Sequence, residues 1–476
     1  SEMVTGYESG VDAGLMTRVA ADVDNLVWVL RHCTELIAHG EKDDSEVADA
    51  VDCAVRIFPI LAGFWMARGL HAEIMNWGSR LIDVLPTPPR DLSDERRRDW
   101  QATVLASMTH QMLRQDLREL ARARYYLRRL HNPDRIYLEP TELMTACVLS
   151  RSTTEAIRYV VRGTTSPDER VATTALGGRM NLAENLGRLD KAERDGETLR
   201  KRSRLGSDHW MSAMAQVSLG GIHSQQANWS TAVDFYRGGI ADLVRLGSFE
   251  DEMQTRCYLA VTLINLDQLD AAEEQLVHVA DGWTPDDPDP RGFPEVFAGM
   301  MLAFGELRYA RGDLADAAEL FARAGDLLLR EHPMAARDPG AAMLIGVAAI
   351  GLVRTGQLDR ARALLPVLAS GVVETLSPSG WNDIPQSANL AVATGYVLCD
   401  RSETRRDGAR LLMLGKRLKA RVDYPGYYAV LTDLVGASKL TQEEWDDVTA
   451  DIPGMSRRRA TEELVELLAS KTPRLA

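Results

Sequence analysis

Cysteine is scarce in this chain of 476 residues: Cys33, Cys53, Cys147, Cys257 and Cys399 lie far apart and never approach CxxC spacing. That spacing excludes a clustered zinc site and a disulfide framework, leaving buried free thiols as the expectation. Lysine is also sparse, nearly all basic residues being arginine, and the net charge is −14. Such a balance disfavours affinity for a phosphate backbone, so no direct contact of this chain with nucleic acid is expected. No apolar run reaches the length needed to cross a bilayer, and Ser1-Glu2-Met3-Val4 lacks the basic start and apolar core of a signal peptide. A cytoplasmic chain without membrane contact is the expectation.

The motifs of catalysis are missing as well. There is no GxxxxGK[ST], no GxGxxG leading from a strand, no HExxH and no GxSxG. The histidines are scattered, and His209 and His223 read as ordinary polar or partly buried residues. Asp286-Asp287-Pro288-Asp289 lacks the Gly and terminal Glu of a calcium loop. The chain is expected not to be an enzyme and to need no cofactor or metal.

What is present is helical periodicity. Hydrophobic content of 45% excludes wholesale disorder, and no convincing alternating strand pattern occurs. The clearest unit runs from Met301 to Ala324, where Gly312-Asp313 breaks two helical stretches and small residues stand where the helices must touch. Met301, Phe304 and Gly305 followed by Ala317 and Phe321 resemble the tetratricopeptide repeat, with departures at Arg308 and Leu329. One such hairpin cannot bury its own apolar face, so the motif must recur.

It does recur. The small residue of the second helix falls at Ala121, Ala156, Ala192, Ala232, Ala272, Ala317, Ala361 and Ala409, with Ile74 as a degenerate first case. The spacing of roughly 35 to 48 residues exceeds the shortest tetratricopeptide unit, and longer helices or loops absorb the excess. Turns precede the second helix at Gly187-Arg188, Ala227-Asn228, Asp267-Gln268, Gly312-Asp313 and Gly356-Gln357. Pro59 should kink or interrupt a helix spanning about 46–68, and proline-rich loops are expected within 283–290 and 377–385. The expected fold is all-α, a right-handed α-solenoid of tandem tetratricopeptide-like hairpins. Its parts are degenerate hairpins over 1–165, clearer repeats over 166–430 and capping helices over 431–476.

In that register the first helix of each unit turns one face into a concave groove. The groove positions are Asn181, Glu184, Asn185, Gln225, Asn265, Tyr309 and Arg354. Side-chain amides donate and accept at once, which suits an extended peptide backbone or a polar small ligand, although a merely hydrated wall would read the same way. Asn181 and Asn185, one turn apart, form the leading pair.

The N-terminal stretch Val19-Ala20-Ala21-Asp22-Val23-Asp24-Asn25-Leu26-Val27-Trp28, with Phe64-Trp65-Met66-Ala67-Arg68-Gly69 and Trp77, resembles the start of the C-terminal tetratricopeptide region of large actinobacterial transcriptional activators. These are antibiotic regulatory and related proteins that couple a DNA-binding domain to a nucleotide-binding ATPase. The closing Ser456-Arg457-Arg458-Arg459-Ala460-Thr461-Glu462-Glu463 is similar to that family's tail. The resemblance implies a regulatory domain that senses a peptide, protein or small-molecule ligand and controls attached ATPase and DNA-binding modules. Neither module's motif occurs here, which leaves an excised domain, the favoured expectation, or a stand-alone relative. A constitutive protein–protein scaffold is the alternative function.

Overall fold

The computed structural model describes residues 13–40, 45–114, 117–205, 208–284, 287–288, 294–331, 338–376 and 383–475, and every regular element among them is helical. The charged loop at 41–44, most of the proline-rich stretches (285–286, 289–290 and 377–382) and the extreme N-terminus lie outside the described residues.

The helices in chain order are α1 (Ala13–His39), α2 (Ser45–Ala67), α3 (His71–Val84), α4 (Asp94–Arg114), α5 (Leu117–Leu130), α6 (Pro140–Leu149), α7 (Thr153–Gly163) and α8 (Glu169–Asn185). Next come α9 (Leu189–Leu205), α10 (His209–Gln225), α11 (Trp229–Leu246), α12 (Phe249–Asn265), α13 (Leu269–Ala280), α14 (Pro294–Ala310), α15 (Leu314–Glu331) and α16 (Pro339–Arg354). The last are α17 (Leu358–Ala363), α18 (Leu365–Thr375), α19 (Ile384–Leu398), α20 (Arg405–Arg417), α21 (Pro425–Thr432), α22 (Leu434–Ser438), α23 (Gln442–Thr449) and α24 (Arg457–Leu475). They fall into two compact units, one of residues 1–182, 191–216 and 238–252, the other of residues 183–190, 217–237 and 253–476.

In the first unit α1 packs on α2, α3 on α4, α4 on α5 and α6 on α7. Helix α2 runs unbroken through Pro59, so the proline marks no helix boundary. Pro59 has no N–H for the carbonyl of Val55 four residues earlier. Thr103 Oγ1 from α4 donates to that carbonyl at 2.8 Å, so the buried acceptor stays satisfied. The absence of an apolar stretch of membrane-spanning length is corrected as well: by length and composition α2 reaches that threshold. It is a core helix, with Ala54, Phe58 and Leu61 fully buried.

In the second unit α14 packs on α15, α15 on α16, α16 on α19 and α19 on α20. The expected contact residues are where the repeat register puts them: Ala232, Ala272, Ala317, Ala361 and Ala409 are fully buried. Phe321 on α15 lies against both Gly305 and Gly351, where an added Cβ would collide with its ring. In the first unit Ala192 and Ile74 are fully buried too, but Ala121 is exposed and Ala156 only half-buried.

The turns share one geometry. Gly69, Gly187, Ala227, Asp267, Gly312 and Gly356 all have positive φ, from 59° to 87°. The residue after each donates its N–H back five residues, as Asn228 does to the His223 carbonyl at 2.9 Å and Gln357 to the Leu352 carbonyl at 2.8 Å. That closure ends a helix with a left-handed residue and satisfies its last carbonyls.

All five cysteines are free, with Cys33, Cys257 and Cys399 buried and the others half-buried, as the spacing predicts. Burial and the neighbouring Cys53 thiol push Cys33 up to about 12, and burial pushes Cys257 up to about 12, so both stay protonated.

Candidate functional site

Helix α20 ends at Arg417, and Lys419 follows in the left-handed region with φ of 65°. Pro425 then starts α21, and because proline restrains its predecessor, Tyr424 is extended, with ψ of 137°. The residues between them belong to no helix, and among the described residues no strand pairs with them. Their backbone groups are met instead by side chains from the helices of the second unit.

Asn389, fully buried on α19, accepts the Arg421 N–H at 2.8 Å and donates to the Arg421 carbonyl at 2.9 Å. Asn265 at the end of α12 donates to the Asp423 carbonyl at 2.8 Å. Glu306 on α14, 1% exposed, accepts the Gly426 N–H at 3.1 Å. Any Cβ at residue 426 would meet Glu306 Oε1 at 2.9 Å and Arg354 Nη1 at 3.0 Å, which accounts for glycine there.

Glu306 is neutralised by Arg354, whose Nη1 donates to it at 2.7 Å. The Arg354 guanidinium also stacks on the Tyr309 ring, 3.8 Å from its centroid. Burial works against the Arg354 charge, but Glu306 and Tyr309 outweigh it and raise the group above its usual range.

Arg421 itself is the centre of a second charged cluster. Its Nε and Nη2 donate to Asp423 Oδ2 at 3.0 and 2.7 Å, and its Nη1 lies 3.8 Å from Glu184 Oε1. Glu184 in turn accepts from Gln225 Nε2 at 2.7 Å. Burial opposes the Arg421 charge, yet Asp423, Glu184 and Asp383 hold it protonated. Burial pushes Asp383 up to about 6, against the lowering effect of the Gln386 N–H and of Arg421.

A cavity of about 190 Å³ opens beside this cluster, lined by Glu184, Arg421, Asp423 and the rings of Tyr236, Tyr258 and Tyr424. Burial, with the nearby carboxylates, raises the three phenols, Tyr258 to about 12, so they remain neutral donors. Among the described residues no group of three or more His, Cys, Asp or Glu is arranged to hold a metal ion.

The seven predicted groove residues therefore divide. Glu184, Gln225, Asn265, Tyr309 and Arg354 converge on residues 421–426 or on side chains that touch them. Asn185 is half-buried and Asn181 exposed, and neither lines the cavity. Sequence reasoning missed Glu306, Asp383, Asn389, Arg421, Asp423 and Gly426. For Asn389 there was a signal, since it is the one carboxamide inside the otherwise apolar or small-residue stretch Ser387–Leu398.

No family model matches this chain, and no curated protein resembles it significantly.

Proposed function

We propose that this chain is a regulatory sensing domain. It is built as a right-handed solenoid of tetratricopeptide-like hairpins, and it controls the ATPase and DNA-binding modules of a bacterial transcriptional activator. One observation carries the reading: Asn265 of the polar row expected to bind a ligand, joined by Asn389 and Glu306, holds the chain's own backbone between Arg421 and Gly426. Amide side chains grip a peptide backbone there as they would grip an incoming one. A ligand entering this row exchanges its own contacts for those of residues 421–426, so binding and release of that stretch are linked. A constitutive scaffold gains nothing from filling its recognition face with its own chain.

The test is native-state hydrogen exchange. In a sensor the amides of Arg421 and Gly426 exchange through a local opening that requires less free energy than global unfolding. If those amides exchange only with the most protected helices, the stretch is permanent core and the sensing reading fails in favour of the scaffold. The module assignment has its own check, since a reading frame upstream of Ser1 that encodes neither an ATPase nor a DNA-binding region overturns it.

A further inference from the structure

Four cations in the second unit have no acidic partner among the described residues: Arg188 just past α8, Arg417 at the end of α20, Lys419 two residues later, and Arg457 at the start of α24. Arg457 Nη1 donates to the Leu186 carbonyl, Lys419 Nζ to the Gly187 carbonyl at 3.4 Å, and Arg417 Nη2 to the Met455 carbonyl. Arg457 Nη2 and Lys419 Cδ each lie 3.8 Å from where a Gly187 Cβ would stand, so two of the side chains meet at that turn.

Backbone carbonyls thus fix three of the side chains and leave their charges uncompensated. Arg188 is exposed, and the Nε of Arg417 is buried without a hydrogen-bond partner. The charges repel one another, and burial together with Arg188 and Arg417 lowers Arg457 below the usual arginine range. Helix α24 sharpens the conflict, because its first turn is Arg457-Arg458-Arg459 with no acidic residue. The positive end of a helix dipole disfavours cations there. All this occurs in a chain of net charge −14.

We propose that Arg188, Arg417, Lys419 and Arg457 bind a phosphorylated small molecule, a phosphate monoester or a diphosphate. Guanidinium forks match phosphoryl oxygens, and four positive charges suit a group of charge two or more better than a single carboxylate. The carbonyl contacts preorganise the side chains. The site is separate from the row that holds residues 421–426, and the proposal stands whether or not the sensing reading does.

Calorimetric titration of the full chain with pyrophosphate and with glycerol 3-phosphate, at ionic strength fixed with sodium chloride, tests it. The expected result is one saturable site for at least one of the two probes, and the tighter probe tells diphosphate from monoester. Arg188→Gln is the main variant, because the Arg188 side chain is exposed and donates no hydrogen bond among the described residues. Arg188→Gln and Arg457→Gln should each weaken binding about tenfold or more, the usual worth of a charge-assisted hydrogen bond. Arg458→Gln, whose guanidinium pairs with Glu462 on the surface, should leave affinity within about twofold. The thermal midpoint separates a binding role from a capping one. Without phosphate, Arg188→Gln should match or exceed the wild type, and it should lose most of the upward shift that pyrophosphate gives the wild type. No saturable heat with either probe, unchanged affinity in both Arg188→Gln and Arg457→Gln, or a response that chloride reproduces at matched ionic strength would overturn the proposal.

Discussion

Asn389 holds the backbone of Arg421 from both sides, accepting its N–H at 2.8 Å and donating to its carbonyl at 2.9 Å. One side chain does here what a neighbouring strand does in a sheet, and it does so while fully buried. Asn389→Ala leaves two backbone groups of Arg421 without partners and should cost about 2–6 kcal/mol, since each unmade buried bond costs about 1–3 kcal/mol. Asn389→Asp should also fail, because a carboxylate cannot donate to the carbonyl. Urea denaturation measures the loss; a cost under about 0.5 kcal/mol for the alanine variant would mean that water replaces the amide at no penalty.

Glu306 and Arg354 predict a non-additive cycle. Glu306 is 1% exposed and its charge is met by Arg354 at 2.7 Å. Arg354→Met strands that carboxylate and should cost about 3–5 kcal/mol, whereas replacing both partners with uncharged residues of similar volume should cost less than that single change. Chemical denaturation of Arg354→Met, Glu306→Gln and the double variant checks this. Simple addition of the two single losses would show that the ion pair is energetically unimportant.

Much of this site was legible, and the limit is physical. Helical periodicity marks apolar faces, so Ala232, Ala272, Ala317, Ala361 and Ala409 could be placed in contacts, and the turn residues from Gly187 to Gly356 could be placed between helices. The same register pointed at Gln225, Asn265, Tyr309 and Arg354. What covers those residues could not be read, because Asn265 and Asp423 are 158 positions apart and no local pattern encodes such a pairing. Asn181 and Asn185 led the sequence list because they share a face. Burial, which periodicity does not report, favours Asn389 and Glu306 instead. Pro59 does not end its helix for a related reason: the donor that satisfies the Val55 carbonyl comes from Thr103 on another helix.

Asp383 predicts a pH dependence of stability. Its folded-state value of about 6 exceeds the ordinary 3.8, so the folded protein holds this proton more tightly than the unfolded chain does. The group therefore costs nothing below about pH 3.8. Its penalty grows as pH rises through the interval and is complete above about pH 6, where it is on the order of 3 kcal/mol. Asp383→Asn keeps an oxygen acceptor for the Gln386 N–H and removes the titration. Its thermal midpoint should rise relative to wild type more at pH 7 than at pH 4.5. An equal difference at the two values sinks the assignment.

Thr103 and Pro59 predict a paired effect in the first unit. Thr103→Val keeps the shape and removes the hydroxyl that donates to the Val55 carbonyl, so a buried acceptor is left unmet at a cost of about 1–3 kcal/mol. Pro59→Ala restores an N–H that can reach the same carbonyl within the helix, so the cost of Thr103→Val should shrink in that background. Urea midpoints of the four proteins check it. An undiminished cost in the Pro59→Ala background would show that Thr103 acts through packing alone.

The turns predict gains as well as losses. Ala227 has φ of 59° and Gly312 has φ of 87° in equivalent turns, but only glycine adopts this region without penalty. Gly312→Ala should destabilise by roughly 1 kcal/mol, since the left-handed backbone costs an alanine about 1–2 kcal/mol and its stiffer unfolded chain returns part of that. Ala227→Gly should run the other way and stabilise by about 0.5–1 kcal/mol on the same balance. No Cβ contact complicates the Gly312 change, because nothing lies within 4 Å of where that atom would stand. Thermal and urea denaturation of both variants tests the sign, and a loss of stability in Ala227→Gly would mean that the alanine methyl packs well enough to outweigh its own backbone strain.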